Sequence, residues 1–284
     1  MLGASSLVGG FVLPLLRADG WQVVAFSRQP MANLDGMEWR LLTPDPSASL
    51  PRGERATKYW ICVAPIWVLP DYWPLIEASG AQRVVVLSST SRFTKVRSHD
   101  TAENAIAAKL VESEARLRAW AESRGIEWVV LRPTLIYGQG QDKNISEMAR
   151  FIRRFGFFPL LGGAQGLRQP IHAEDVAVAC IAALQAPDAP NRAYNLSGGE
   201  TLTYREMVAR VFAALGRPAR LLTVPLWSFR LTVAILRSLP PYRHYSAAMA
   251  ERMNRDLVFD HADAARDLGF KPKGFALTAE DVPQ

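Results

Sequence analysis

The sequence predicts an α/β protein in which helices cover both faces of a doubly wound parallel sheet. Two nearly continuous apolar runs, "KYWICVAP" and "RVVVLSST", have the composition of strands that are buried on both faces. The clearest helical pattern, "AENAIAAKLVESEARLRAWAESRG", separates the second run from a third, "IEWVVLRP". This order of strand, helix and strand predicts a parallel sheet whose ligands bind at the carboxyl ends of its strands.

The elements before the apolar runs are also predicted to be a helix followed by strands. An opening glycine–serine turn leads into the helical pattern "LVGGFVLPLLRADG", where we expect Pro14 to kink the helix or to remove one backbone hydrogen bond. The next predicted strands are "WQVVAFSR" and "MEWRLL". Only Met1 and Leu2 precede the turn, so we expect the first strand to begin upstream of this sequence.

The long helix is expected to bury one apolar stripe and to carry ion pairs on its solvent side. The stripe consists of Ile106, Leu110, Leu117 and Trp120. The ion pairs, at i,i+4 spacing, are Glu112 with Arg116 and Glu114 with Arg118.

The second half of the chain changes character. "ISEMARFIRRFGFFPLLGGAQG" predicts a helix and a glycine-rich loop, and a capping box from Thr203 to Glu206 begins a later helix. "LWSFRLTVAILRSLPPYRHY" is amphipathic, aromatic and basic. We favour the buried face of a small accessory domain for this segment; a membrane-surface enzyme resting on residues 225–245 is the alternative.

Composition excludes several classes of protein. With 284 residues, 49% hydrophobic and 21% charged, the chain is typical of a folded soluble protein, and its net charge of +6 favours anionic ligands. The basic residues are scattered, so nucleic acid is not an expected partner. No apolar stretch reaches the ~18–20 residues of a membrane span, and the N-terminal segment, whose apolar run ends at Arg17 and Asp19, does not have the pattern of a signal peptide, which favours the cytoplasm.

Cysteine and histidine usage gives no sign of a metal site. Cys62 and Cys180 lie far apart in apolar runs, which predicts two buried free thiols in a reducing compartment. The four histidines are equally dispersed. No metal is therefore expected.

The opening turn has the spacing of a dinucleotide-binding turn. Such a turn needs small residues where the chain bends, where the backbone meets pyrophosphate and where the helix packs on the strand, and the phosphates then bind the helix N-terminus. Three-residue spacing places Gly3, Ser6 and Gly9 at these points, with serine in place of the usual glycine. The predicted cofactor-binding residues here are Gly3, Ser5, Ser6, Leu7, Val8 and Gly9.

The end of the next strand carries information about the cofactor. About 20 residues after the turn, an NAD-selective site offers Asp or Glu to the ribose hydroxyls. This chain offers Phe26, Ser27 and Arg28. An arginine there can pair with a 2′-phosphate, so NADP(H) is predicted over NAD(H), although Arg28 as a solvated loop residue is nearly as good an interpretation.

Several motifs in order resemble a known family. "GASSLVGG", "VVVLSSTS", "AAKLVESE", "LRPTLIYGQG" and "QPIHAEDVA" are similar to those of the NAD-dependent epimerase/dehydratase family, the extended short-chain dehydrogenases/reductases. The resemblance covers essentially the whole chain. It implies a Rossmann-type dinucleotide-binding domain over residues 1–160, a smaller C-terminal α/β substrate domain over residues 161–284, and a nicotinamide cofactor. A nucleotide-sugar substrate is common in this family.

The resemblance also implies a catalytic set, with one departure. Lys109 matches the family's ribose-binding lysine, and Thr90 matches the hydroxyl residue that contacts the reacting oxygen. The family's proton-transferring tyrosine lies four residues before the lysine, where this chain has Ala105. Replacement acids can be imagined from His99, Asp100, Glu103 or Tyr137. Leu41 is a second departure, at a position where the family commonly has an aspartate near the adenine.

Further positions are carried over from the resemblance with less weight. Ala64, Pro65 and Pro133 are expected along the cofactor, and Tyr137 and Arg168 near the substrate, Arg168 being equally well interpreted as a surface loop residue. His172 and Asp175 are expected to cap and orient a helix. Ser197 is interpreted as a turn serine, because no base is paired with it.

Two functional hypotheses follow. The first is an NAD(P)-dependent oxidoreductase or epimerase acting on a nucleotide sugar or a similar polar carbonyl or alcohol; a homodimer is compatible with it. The second is a cofactor-binding sensor or assembly subunit without turnover, which the missing tyrosine favours.

Overall fold

The computed structural model describes residues 1–33, 35–42, 57–94, 101–226 and 252–283. The strands, in chain order, are β1 (Val23–Ser27), β2 (Met37–Leu41), β3 (Tyr59–Cys62), β4 (Arg83–Leu87), β5 (Glu127–Pro133), β6 (Ile136–Tyr137), β7 (Phe158–Leu161), β8 (Leu167–Arg168), β9 (Ile171–His172), β10 (Arg192–Leu196), β11 (Leu202–Thr203) and β12 (Leu221–Val224). The α-helices are α1 (Leu7–Ala18), α2 (Trp73–Ala78), α3 (Ser91–Thr94), α4 (Thr101–Arg124), α5 (Ile145–Phe155), α6 (Ala173–Gln185), α7 (Tyr204–Ala214) and α8 (Ala262–Leu268). A 3₁₀ helix spans Ile66–Tyr72.

A parallel sheet organises the first part of the molecule. Strands β3, β4, β5 and β10 pair in the order β10-β5-β4-β3, and β1 pairs with β2. Met1 and Leu2 join these two groups: the Phe26 N–H donates to the Met1 carbonyl (3.0 Å), and the Leu2 N–H donates to the Ile61 carbonyl (2.9 Å). Because all registers are parallel and helices cover both faces, the predicted doubly wound α/β sheet is confirmed.

The sheet lies between two apolar layers. One layer holds α1 and α6 against the sheet, through residues such as Val12, Val85 and Val176. The other holds α2 and α4, with Leu110, Leu117 and Trp120 of α4 packed on the opposite side. The first part of the molecule therefore has two apolar cores, one on each face of the sheet. Its strands are buried on both faces, as their apolar runs predict.

Helix α1 begins at a serine cap and continues through its proline. The Ser6 hydroxyl accepts a hydrogen bond from the Gly9 N–H at 3.2 Å, which satisfies one of the free donors of the first turn. The helix runs without a break from Leu7 to Ala18 with Pro14 inside it. The proline has no N–H to donate, so one backbone hydrogen bond is missing within a continuous helix.

A second, smaller core packs α5 and α7 with the parallel pair β7 and β12. The capping box at the start of α7 is present, with reciprocal hydrogen bonds between Thr203 and Glu206. Between these elements, the segment from β9 to β10 returns to the first core: α6 packs on α1, and β10 pairs with β5. The division into residues 1–160 and 161–284 stays a prediction.

Helix α4 differs from expectation on both of its faces. Leu110, Leu117 and Trp120 are buried as predicted, but Ile106 is 42% exposed. Glu114, expected on the solvent side, is only 5% exposed and pairs with arginines other than Arg118. These two expectations are wrong because the helix turns its Glu114 face, rather than its Ile106 face, toward the ends of β4 and β5.

Within the described ranges, none of the helices is both long and apolar enough to cross a membrane. Of the segment 225–245, only residues 225 and 226 are described. The interpretation of its amphipathic pattern therefore lies outside the described residues.

Candidate functional site

The predicted cofactor residues gather at the carboxyl edge of the parallel sheet. The opening turn, the end of β3 and the ends of β4 and β5 all lie along this edge. In open α/β sheets this edge is where ligands bind.

The opening turn requires glycine at two of its positions. Gly3 has a φ of +77°, and a Cβ there would clash with the backbone nitrogen of Ala64 at the end of β3. A Cβ on Gly9 would clash with the carbonyl oxygen of Ala4, because the first turn of α1 approaches the loop closely. Both glycines therefore act as the dinucleotide-turn spacing predicts, one at the bend and one at the close approach.

The N-terminus of α1 fits an anionic group. Ser6 caps the helix through its hydroxyl to Gly9, and its carbonyl accepts from the Gly10 N–H. Among the hydrogen bonds of the described residues, none takes the N–H of Leu7 or Val8. Free N–H groups and the helix dipole favour a phosphate at this point, and a small residue at Ser5, which is exposed, leaves the approach open.

The end of β1 presents Arg28 to solvent. The Ser27 hydroxyl accepts from the Gln29 N–H at 3.1 Å, which turns the chain immediately after the strand. Arg28 follows in an exposed position, and Leu41, opposite Ser27 in the register, is 48% exposed. Neither Arg28 nor Leu41 is acidic, so neither side chain would repel the 2′-phosphate of NADP.

The loop after β3 brings the opening turn and Lys109 to the same edge. Ala64 lies against Gly3, and Pro65 begins the 3₁₀ helix Ile66–Tyr72. Trp67 in that helix lies under Lys109, whose Nζ is 4.7 Å from the ring centroid. This cation–π contact fixes the ammonium group of an otherwise exposed lysine beside the predicted cofactor path.

Thr90 lies between the ends of β4 and β5. Its side chain is 5% exposed, and its Oγ1 donates to the Pro133 carbonyl at 3.2 Å. The Thr90 N–H donates to the same carbonyl at 3.1 Å. The hydroxyl oxygen keeps its two acceptor lone pairs, so Thr90 can still accept a hydrogen bond from a further donor.

The position of the family's tyrosine is held by an exposed alanine. Ala105 precedes Lys109 by one helical turn, so both lie on one face of α4. Of the imagined replacement acids, His99 and Asp100 lie outside the described residues. Glu103 is buried and pairs with Arg252 at 2.8 Å.

A buried charge cluster next to Thr90 was not predicted from the sequence. The Glu114 carboxylate accepts from the Ser88 hydroxyl (2.5 Å), from Arg132 (2.6 Å to Nη2) and from Arg92. Burial lowers the pKa of the Arg92 guanidinium, which Glu114 partly offsets. The "SSTSRF" and "VVLRP" strings contain these partners, but the spacing within α4 alone does not show that Glu114 faces them.

Tyr137 and Arg168 belong to the second core. Tyr137 is 2% exposed, its ring contacts His172 and Phe275, and burial raises the pKa of its phenol. Arg168 is 4% exposed, and burial lowers the pKa of its guanidinium to about 10. Its Nη1 donates to the carbonyls of Leu167 and Arg255, both at 2.7 Å. The interpretation of Arg168 as a surface residue is therefore wrong, and contacts of Tyr137 and Arg168 with substrate stay predictions.

His172 caps α6 as expected and also binds the C-terminal segment. Its Nδ1 accepts from the Glu174 N–H at 3.3 Å, and its Nε2 lies 3.2 Å from Asp281 Oδ1. Asp175 Oδ2 accepts from the Lys273 N–H at 2.9 Å, and burial raises the pKa of that carboxyl.

Ser197 does have a base beside it. The His261 Nδ1 lies 2.6 Å from its Oγ, so the expectation that no base is paired with this serine is wrong. Ser197 is fully buried, which leaves the pair as a link between β10 and the start of α8.

The two cysteines are free and buried, and burial raises the pKa of each thiol to about 12. Across the described residues, no cluster of His, Cys, Asp and Glu is arranged to hold a metal ion.

Comparisons with known proteins agree with this architecture. A UDP-glucose 4-epimerase of Vibrio cholerae is 26% identical over 174 residues, which cover 60% of this chain and 51% of that protein. The chain thus spans about half the length of this relative. Subunit 9 of the mitochondrial NADH dehydrogenase [ubiquinone] 1 alpha subcomplex of Arabidopsis thaliana is 29% identical over 119 residues, which cover 42% of this chain and 28% of that protein.

A solved structure shares the fold over nearly all of the chain. The UDP-glucuronic acid 4-epimerase from Bacillus cereus in complex with NAD superposes with a TM-score of 0.72 at 12% identity, covering 99% of this chain and 94% of that chain. The model of the NAD dependent epimerase/dehydratase family matches residues 73–197, which include Thr90, Lys109 and Pro133. Over residues 73–197 the sequence is thus similar to the NAD dependent epimerase/dehydratase family, in agreement with the resemblance that the motifs predict.

Proposed function

We propose that the chain is an NADP-preferring oxidoreductase or epimerase of the extended short-chain dehydrogenase type, acting on a nucleotide sugar or a similar polar carbonyl or alcohol substrate. The observation that carries the proposal is the shared edge of the sheet. There, a glycine turn with free helix N–H groups lies against the end of β3, a threonine hydroxyl lies between the ends of β4 and β5, and the lysine of α4 contacts the loop after β3. The relatives named for UDP-glucose and UDP-glucuronic acid support a nucleotide-sugar substrate.

The residues of this chain have separate tasks in the proposal. The Leu7 and Val8 N–H groups would hold the pyrophosphate, Arg28 would pair with the 2′-phosphate, and Lys109 would hold the nicotinamide ribose. A nicotinamide cofactor, when bound, supplies or accepts a hydride. Thr90 would accept a hydrogen bond from the substrate hydroxyl at the reacting carbon. With Ala105 at the tyrosine position, the proton of that hydroxyl would be exchanged with water or with another side chain.

The first experiment is a fluorescence titration of the protein with NADPH and NADH side by side. Tight binding of NADPH, weakened in Lys109→Ala and unchanged in the matched surface variant Lys271→Ala, supports the cofactor site. A screen of carbonyl substrates for oxidation of the bound NADPH follows. If neither cofactor binds at millimolar concentration, the enzyme proposal is lost.

A second candidate function is a cofactor-binding subunit without turnover. The exposed alanine at the tyrosine position favours it, and the similarity to a subunit of the NADH dehydrogenase alpha subcomplex adds support. The two functions separate in a single-turnover measurement. Bound NADPH that no carbonyl substrate oxidises supports the subunit, and oxidation by any one of them supports the enzyme.

We also propose a homodimer through α4. This helix exposes Ile106 (42%) and Val111 (39%) beside its polar residues. Light scattering of the protein as it elutes from a size-exclusion column measures its oligomeric state directly. A monomer at all concentrations would contradict the proposal.

A further inference from the structure

The end of α5 exposes an aromatic cluster. The helix ends at Gly156, which adopts a left-handed conformation and turns the chain back toward β7. Phe155 is 50% exposed, and its ring lies 4.6 Å from Phe151 and 6.4 Å from Phe157. The guanidinium of Arg154 lies 5.3 Å over the Phe155 ring. Phe155 thus extends a cluster of three phenylalanine rings to the surface, and an exposed apolar patch rimmed by charged residues marks an interaction site.

The end of α7 lies beside this cluster. Arg217, just after α7, donates to the carbonyls of Ile152 (3.0 Å) and Arg153 (3.1 Å) in the last turn of α5. Leu222 on the neighbouring strand β12 is 52% exposed. We call this surface the α5–α7 pole and define it by the following residues: Arg154, Phe155, Phe157, Arg217, Arg220 and Leu222.

The pole is built from sequence that lacks acidic residues. No Asp or Glu occurs between Glu147 and Glu174, or between Glu206 and Glu251. Of these two stretches the structure describes residues 148–173 and 207–226, which contain seven arginines and no Asp or Glu. The chain segments that form the pole are therefore positively charged.

This combination fits an anionic lipid surface. Each basic side chain near such a surface raises the partition of a protein about fivefold, and phenylalanine side chains are stable at the headgroup level. The exposed ring of Phe155 and the half-buried ring of Phe157, together with Arg154 over the first ring and Arg217 at the last turn of α5, provide both contributions. An acidic protein would use the arginines but would have less need for the exposed rings.

We propose that the α5–α7 pole docks on an anionic lipid surface, with Phe155 and Phe157 entering the headgroup region. The attachment is peripheral, and it is independent of the proposed cofactor site because none of its residues lies at the carboxyl edge of the sheet.

Co-sedimentation with vesicles tests the proposal. The full chain is expected to bind vesicles of phosphatidylcholine containing phosphatidylglycerol, and to stay in solution with phosphatidylcholine alone. Arg154→Gln combined with Arg220→Gln should lower the partition about 25-fold, by the fivefold effect of each arginine. Neither side chain donates a hydrogen bond to a described residue, so the variant is expected to keep its fold. Phe155→Ser should also lower the partition.

Matched variants distinguish the pole from the overall charge. Arg124→Gln with Arg266→Gln removes two charges from exposed arginines elsewhere, and Val178→Ser removes an apolar side chain that is 49% exposed. Both should bind vesicles like the parent protein. Equal losses in these controls, or unchanged binding of the pole variants, would overturn the proposal. Binding to soluble polyglutamate without binding to the anionic vesicles would also overturn it and assign the pole to an acidic protein.

Discussion

At the scale of single residues, the opening turn can be tested with two glycines of the same segment. Gly3→Ala should lower the free energy of unfolding by at least about 2 kcal/mol, because the φ of +77° is strained for alanine and its Cβ would clash with Ala64. Gly10→Ala, where a Cβ meets nothing within 4 Å in a helix, should raise it by about 0.5–1 kcal/mol. Urea denaturation of both variants checks this. Equal effects would show that Gly3 is not conformationally required.

Arg28 determines the expected cofactor preference. Arg28→Asp should weaken NADPH binding much more than NADH binding, because a carboxylate repels a 2′-phosphate and accepts from ribose hydroxyls. Titration of the variant with both cofactors measures the ratio of their dissociation constants. A parallel loss for both would show that Arg28 does not contact the 2′-phosphate.

Residues with local requirements were the easiest to predict from the sequence. The glycine spacing of the turn follows from backbone conformation within seven residues, and the structure has the bend and the close approach that Gly3 and Gly9 imply. Arg168 was harder, because its carbonyl partner at Arg255 lies 87 residues away. A surface loop and a buried arginine share the same local pattern, since nothing near Arg168 in the sequence shows which carbonyls surround it.

At the scale of elements, helix α4 is held to the sheet by a buried carboxylate. Glu114→Gln should lower the free energy of unfolding by about 3 kcal/mol, because it leaves Arg92 and Arg132 partly buried without their counter-charge. The matched variant Glu112→Gln, on the exposed side of the same helix, should change it by less than about 0.5 kcal/mol. Thermal or urea unfolding checks both. A small effect at Glu114 would mean that Ser88 and water compensate for the lost charge.

The type and position of α4 could be predicted, but the faces it turns to its neighbours could not. Charged and apolar residues are distributed almost all around this helix. The sequence pattern is therefore equally consistent with a buried stripe that includes Ile106 and with one that omits it. The rotation is set by the two arginines that pair with Glu114: Arg92, which follows β4, and Arg132, near the end of β5. Their positions depend on how the strands pair in the sheet. The sequence-based assignment of Glu114 to solvent failed for that reason.

At the scale of the whole molecule, the C-terminal segment is joined to the rest through Asp281. This carboxylate accepts from the Thr278 N–H and hydroxyl (both 2.9 Å) and from the Gln139 N–H (3.3 Å), and it lies beside His172. Burial raises the pKa of Asp281, but the hydrogen bonds from Thr278 and the contact with His172 outweigh it, so its pKa is lowered in the folded protein.

The sign of the pH dependence follows from that lowered pKa. A carboxyl with a lower pKa in the folded state stabilises the protein above its unfolded pKa of about 4, and this stabilisation is lost as the pH falls through the folded pKa. Asp281→Asn should therefore be less stable than the parent at neutral pH, and the difference should shrink as the pH falls below about 4. Urea denaturation across this pH range measures it, with the exposed Asp188→Asn as control. A difference that is constant with pH would contradict the assignment.

Long-range order in the sheet was only partly predictable. The apolar runs of β3, β4 and β5 indicate buried parallel strands, and all three are present at the predicted places. Strand β10 completes the same sheet from about 60 residues further along the chain, with an alternating pattern typical of a half-buried strand. Pairing across such a distance depends on how α6 packs against α1, which no local pattern shows.

The path of the chain between the two cores has a mechanical consequence. Within the described residues, the chain passes from one core to the other five times: after β5, before β9, after β10, before α8 and after Phe270. These connections act as parallel tethers, so rotating one core relative to the other would require bending five chain segments instead of one. We therefore expect a ligand to reach the edge of the sheet mainly through movements of individual loops.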